Sequence, residues 1–135
     1  MANVTLFSQI ISKLDRKVFN KLVKQFESDK HAKGYDSWTH LVAMLFCQFA
    51  KSQSVRDISN GLRSATGNLN HLGIEKAPSK STVSYQGKRG NWELFQACLY
   101  ALQQSLGQPQ AFKQKKFRIK SKIFLLDSST ISLCL

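Results

Sequence analysis

The stretch "SWTHLVAMLFCQFA", residues 37–50, constrains the fold more than any other part of the chain. Its apolar side chains do not keep to one face of a helix; they run almost all the way round it. A helix of that kind needs neighbours on several sides, so it belongs in the middle of a bundle. Its longest apolar run, "LVAMLFCQFA", is ten residues and includes Gln48. That is too short to span a bilayer. The segment therefore predicts a central core helix, started by Asp36 or Ser37.

The flanking segments supply partners for it. Leu6, Phe7, Ile10, Ile11 and Leu14 fall at helical spacing. Asp15 is placed to cap a second helix, with Val18, Phe19, Leu22, Val23 and Phe26 on one face and Lys17, Lys21 and Lys24 on the other. "ESDKHAKGYDS" reads as a polar loop. Ser54 followed by Asp57 resembles a capping box and opens a short helix with Val55, Ile58 and Leu62 inward. "ATGNLNHLGIEKAP" is a loop of turn residues with Leu72 and Ile74 as apolar anchors. Another helix starts near Ser79 and is expected to break around Gly87 and Gly90. Asn91 caps a last one, whose stripe is Trp92, Phe95, Leu99, Leu102 and Leu106.

After "GQPQ" the pattern changes. Phe117, Ile119, Ser121, Ile123 and Leu125 alternate with Arg118, Lys120, Lys122, Phe124 and Leu126. That is the period of a strand, becoming apolar on both faces like one entering the middle of a sheet. The remaining strand-like text is "TISLCL", and two strands alone are marginal in water. The sequence thus divides into a helical domain over 1–112 and, over 113–135, a linker with the start of a sheet domain.

The 135 residues carry 20 Lys and Arg against 8 Asp and Glu, a net charge of +12. The excess lies mostly beyond residue 60, where 11 cations face 3 acids. So basic a domain favours a polyanionic partner, nucleic acid before an anionic membrane surface or an acidic protein. Cys47, Cys98 and Cys134 form no CxxC pair and no ligand spacing with the histidines, so they read as small apolar side chains in a reducing compartment. "MANVTLFSQIISKLDRK" has no basic start before its apolar residues, so no signal peptide is expected, and the protein reads as soluble and cytoplasmic.

Three groups of residues invite a chemical reading. "SVRDISNGLRS" followed by "SKSTVSYQGKRGNW" resembles a helix-turn-helix unit, although the connection is much longer than the usual three or four residues. On its second helix Lys80, Ser84 and Lys88 form one row, and Ser81, Tyr85 and Arg89 the next. Hydroxyls near a helix start, Thr82 included, suit phosphate oxygens, and Lys or Arg further along reach phosphates or guanine edges. Arg56 and Arg63 on the first helix join the candidate DNA contacts. The spacing alone serves a solvated basic face as well. "KQKKFRIKSK", with Lys115 and Lys116, fits sequence-blind phosphate contact or a charged linker. Asp127, at the end of the apolar strand, is placed as a metal-binding carboxylate would be, or as an ordinary turn residue.

Taken in order, "LFSQIISKL", "SWTHLVAMLFCQFAKSQSVRDISNGLRS", "NLNHLGIEKAPSKSTVSYQGKRGNWELFQ" and "LLDSSTISLCL" resemble the N-terminal portion of bacterial transposases of the insertion-sequence-four family. The resemblance implies a helical domain that binds the terminal repeats of the element as double-stranded DNA. It implies a ribonuclease-H-like α/β domain next, with a DDE triad of carboxylates holding two Mg2+ or Mn2+ ions. Asp127 in "FLLDSSTISLCL" would be the first of the triad and a metal ligand in a complete domain. The second Asp and the Glu are absent from this sequence. The expectation is therefore a mainly α, truncated chain that binds DNA in the bacterial nucleoid without cutting it and without a metal of its own. The alternative is a helical interaction module that regulates a full-length transposase by oligomerisation.

Overall fold

A computed structural model describes residues 4–65 and 69–107. In chain order these residues form α1 (Val4–Ile11), α2 (Arg16–Gln25), α3 (Ser37–Phe49), α4 (Val55–Ser64), a 3-10 turn (Leu69–Leu72), α5 (Lys80–Arg89) and α6 (Trp92–Leu106). The described part is mainly helical, with no strand among the described residues. The strand expected over 117–126, the "TISLCL" segment and the boundary at 112–113 lie outside the described residues. No helix among the described residues is long and apolar enough to cross a membrane.

Side chains set where the helices begin. Asp15 Oδ1 accepts from the backbone N–H of Lys17 at 2.9 Å and of Val18 at 3.2 Å. Asp36 Oδ1 accepts from Thr39 N–H at 2.8 Å. Ser54 accepts from Asp57 N–H at 3.2 Å, Ser79 from Thr82 N–H at 3.2 Å, and Asn91 from Glu93 N–H at 3.1 Å. Each cap satisfies a donor the helix cannot, a contribution of about 1 kcal/mol. α2 and α3 end with a left-handed residue, Glu27 at φ 49° and Lys51 at φ 51°. That conformation lets Ser28 N–H reach Val23 O at 3.2 Å and Ser52 N–H reach Cys47 O at 3.0 Å, the bond that closes a Schellman end.

α3 is the central helix, packed against α4, α1 and α5. Trp38, Val42, Ala43, Phe46 and Cys47 are all buried, while Met44 and Gln48 leave one edge open to solvent. Phe46 meets Phe7 of α1 edge-on at 5.6 Å between centroids. On its other side the Phe46 ring lies against Gly61 of α4, so closely that a Cβ there would stand 2.6 Å from ring carbons. The glycine in mid-α4 is what lets the two helices approach. Ile58 and Leu62 of α4, with Leu72 and Ile74 of the following loop, complete the core.

Two sequence expectations need correcting. α6 does not turn the stripe Trp92, Phe95, Leu99, Leu102, Leu106 inward. Leu94 is buried, Phe95, Cys98, Ala101 and Leu102 are half-buried, and Trp92 (66%), Leu99 (53%) and Leu106 (46%) are exposed. α2 packs on α6, and that contact, not the apolar period of α6, decides which face is covered. α5 ends at one of its two expected break points, Gly90, but runs unbroken through the other, Gly87. Gly87 is exposed with nothing near it, so its weaker helix propensity is tolerated there without a break.

The long connection between α4 and α5 is tied down by Trp38. Its indole Nε1–H donates to Leu72 O at 2.9 Å, and Phe19 of α2 meets its ring edge-on at 5.4 Å. The Arg16 guanidinium lies over the indole, 4.7 Å from the centroid. Gly73 follows in the left-handed region at φ +70°, and a Cβ there would overlap the Arg16 guanidinium. Gly73→Ala is expected to lower stability by about 1–2 kcal/mol, chiefly through the backbone conformation. Removing the guanidinium in an Arg16→Ala, Gly73→Ala double variant should recover only the steric part. Urea unfolding of Gly73→Ala, Arg16→Ala and the double variant measures both terms.

Candidate functional site

α5 carries the residues singled out as a row of candidate contacts. Val83 is buried against the bundle, and Thr82 and Gln86 are half-buried along one flank of it. Lys80, Ser81, Ser84, Tyr85, Lys88 and Arg89 are all exposed on the opposite side. The fold therefore brings three cations, two hydroxyls and an aromatic ring onto one solvent-facing surface. At 1.5 Å per residue, Lys80 to Arg89 spans about 14 Å.

The helix pair that carries this surface is real. α4 packs directly against α5, and the buried Ser59 hydroxyl of α4 donates to Pro78 O at 2.8 Å just before α5 begins. The connection is long because it is itself folded: it contains the 3-10 turn and buries Leu72 and Ile74. Arg56 and Arg63 on α4 are exposed. Arg63 lines an open cleft of about 770 Å³ beside the start of α5, with Lys33, Lys76, Ser79, Thr82 and the acidic Glu75. No sequence motif pointed to this cleft, since its cations come from three separate segments. Arg56 has no such placement. Lys115, Lys116 and Asp127 lie outside the described residues.

Local bonding sorts the polar groups on α5. Ser79 Oγ lies 2.9 Å from Ser81 Oγ and 2.8 Å from Thr82 Oγ1, so these three hydroxyls are engaged with one another. Ser84 stands apart from that cluster. The Arg89 guanidinium donates to Tyr85 Oη at 2.6 Å and lies over the same ring, 5.2 Å from its centroid. This pair is held in one geometry, and the remaining guanidinium N–H groups are available to an external acceptor. Lys80 and Lys88 extend as single charges, so the surface combines one ordered planar cation with two adaptable ones.

The C-terminal end of α5 rests on a buried polar pair. His40 of α3 has its Nδ1 3.0 Å from Tyr35 Oη, and its ring is tilted against Phe95 of α6 at 5.5 Å. A Cβ on Gly90 would lie 3.6 Å from His40 Nε2 and 2.7 Å from Gln86 O, so the α5–α6 corner closes tightly over the imidazole. Burial lowers the His40 pKa from its usual value and raises that of the Tyr35 phenol. Neither residue stood out in the sequence, where Tyr35 lies in a loop that reads as polar.

A family model, "Domain of unknown function (DUF4372)", matches residues 2–75. The chain belongs to that family. The matched span takes in α1 to α4, the 3-10 turn and the Trp38–Leu72 bond, and ends before α5. The DUF4372 match thus covers the supporting frame and leaves the α5 surface beyond it. No curated protein and no solved structure matches the chain. No group of three or more His, Cys, Asp or Glu among the described residues is placed to hold a metal ion. The two-ion centre implied by the transposase resemblance has no donor set among the described residues.

Burial disfavours the charged form of His40 and lowers its pKa, whereas an unfolded chain protonates it near pH 6.5. Just below that value the unfolded state binds the extra proton, so stability rises with pH there and falls as pH drops. His40 should therefore contribute a loss of stability between pH 7 and pH 5. His40→Gln should flatten thermal or urea stability against pH over that window, relative to the native chain.

Proposed function

We propose that this chain is a helical domain that binds duplex DNA through the exposed face of α5, and that it is the N-terminal portion of an insertion-sequence transposase. The observation that carries the reading is the gathering of Lys80, Ser84, Tyr85, Lys88 and Arg89 on one exposed helix face, in a chain of net charge +12. Family membership supports the second half, since the DUF4372 domain is often found at transposase N-termini. The resemblance of "FLLDSSTISLCL" to the strand bearing the first catalytic carboxylate points the same way.

The physical mechanism is phosphate neutralisation with a smaller share of base contact. A helix fits the major groove of B-form DNA, about 12 Å wide. Lys80 and Lys88 would reach phosphates flanking the groove, releasing condensed counterions. The Arg89 fork, already oriented by Tyr85, suits a bidentate contact to a phosphate or a guanine edge. The cleft beside the α5 N-terminus, with Lys33, Arg63 and Lys76, adds positive potential at that end of the helix. In the whole transposase, strand cleavage and joining at the element ends would be metal-assisted, with Asp127 as the first carboxylate and Mg2+ or Mn2+ as the ion.

The test is fluorescence anisotropy with a labelled duplex over a salt series. Binding should weaken steeply with salt, and Lys80→Gln/Lys88→Gln/Arg89→Gln should reduce log-log slope by roughly 2–3, at about 0.9 per phosphate contact. Circular dichroism checks that the variant stays folded. A native chain that ignores duplex DNA at low ionic strength would refute the proposal.

A second reading, self-association or docking on a full-length transposase, is favoured by one specific observation. Trp92, Leu99 and Leu106 line the outer face of α6, with Tyr100 beside them, all exposed. Large apolar side chains exposed along one helix face, here with Gln96 and Gln103 between them, are candidates for an interaction surface. Trp92→Ser/Leu99→Ser should convert an oligomer to a monomer in sedimentation velocity while DNA binding by the monomer persists. Loss of self-association with no DNA binding in either form would favour this reading over the first.

A further inference from the structure

α2 presents a second cationic surface that α5 does not use. Lys17, Lys21 and Lys24 fall at i, i+4 and i+7, and all three are exposed. They stand opposite Phe19, Leu22, Val23 and Phe26, which α2 turns toward the core. α2 packs on α6, whereas α5 packs on α4 and α3. The two basic faces are thus carried by different helix pairs of one fold.

The fold gives this lysine row little support: only Lys24, in the last turn, meets the favourable end of the helix dipole. Like charges one turn apart on a helix repel each other. Lys17 also stands in the first turn, at the positive end of the helix dipole. α2 contains no acid. The two acids nearest in sequence are engaged elsewhere: Asp15 caps the helix backbone, and Glu27 pairs with Lys30 at 2.9 Å. Among the described residues the three lysines have no ion-pair partner. The row covers seven residue steps, about 10 Å of helix axis, equivalent to about three phosphate intervals of 3.4 Å along the axis of a duplex.

We infer that Lys17, Lys21 and Lys24 form a second DNA-contacting surface, one that binds the phosphate backbone without reading sequence. The inference rests on the duplex-binding reading proposed above and extends it to a helix that reading leaves idle. An anionic lipid surface fits this face less well. A helix lying on a membrane must insert its apolar side, and the apolar side of α2 is committed to the core.

The experiment uses the full chain with Lys17→Gln/Lys21→Gln/Lys24→Gln, compared with the native chain and with the α5 triple variant. Glutamine keeps helix propensity close to that of lysine, and thermal unfolding confirms folding. A random-sequence duplex is titrated by anisotropy from low to moderate salt. The expected result is a log-log salt slope lower by roughly 2–3 and at least tenfold weaker binding at low salt. Combining the α2 and α5 substitutions should lower the slope further than either set alone. A native chain that binds DNA with an α2 variant of unchanged slope overturns this inference and leaves the α5 reading standing. A native chain that binds no duplex overturns both. Loss of binding to phosphatidylserine vesicles, with duplex binding intact, would assign the row to lipid and overturn it as well.

Discussion

Trp38 is the point at which three distant stretches of chain are fastened together. Its indole N–H holds Leu72 O, its ring packs in a T-shape with Phe19, and its face carries the Arg16 guanidinium. A buried indole N–H without an acceptor would cost more than the net value of an ordinary hydrogen bond, so the carbonyl of Leu72 is held where Trp38 needs it. The segment between α4 and α5 consequently behaves as part of the core, although its composition is that of a loop. Leu72 and Ile74 plug the bundle, and Ser59 binds Pro78 O. α5 leaves from that anchored point. The orientation of the basic face is thus set by packing some distance from it in sequence.

The distribution of acids explains how a small domain can be both well capped and strongly positive. The described residues hold 7 Asp and Glu against 14 Lys and Arg. Asp15 and Asp36 cap α2 and α3, and Asp29 accepts from Ser37 N–H at 2.8 Å at the start of α3. Asp57 and Glu93 occupy the first turns of α4 and α6. At these sites negative charge meets the positive end of a helix and free N–H groups. Five of the seven acids therefore act on backbone dipoles, which leaves the lysine rows on α2 and α5 largely unneutralised. Such a surface is held at a cost in self-repulsion that a polyanion would relieve.

Much of the local structure was legible before any fold was known. Asp15, Asp36, Ser54, Ser79 and Asn91 all cap helices where their position before an apolar period says they should. A cap is a contact within four residues, so sequence contains both partners. The rows on α5 were legible from helical spacing alone, while the burial of Val83 against the bundle fixed which way they face. α6 was misread because it is apolar on more than half its circumference. Its period admits several inward faces, and the one actually covered, centred near Leu94, Cys98 and Ala101, is rotated by roughly 110° from the expected stripe. The cleft of Lys33, Arg63 and Lys76 and the buried Tyr35–His40 pair were invisible because their members come from segments far apart in the chain.

The sequence by itself determined that the domain is helical, where five of its helices start, that residues 37–50 lie at its centre, and that its outer surface is basic. These follow from periodicity, caps and charge, which are short-range or additive properties. Tertiary structure alone decided which side of α6 faces water, that α4 and α5 pair across so long a connection, and which cations share a surface. Those outcomes depend on side-chain shape at contacts such as Phe46 on Gly61 and Trp38 on Leu72. Shape complementarity between residues distant in the chain has no signature in either segment taken alone.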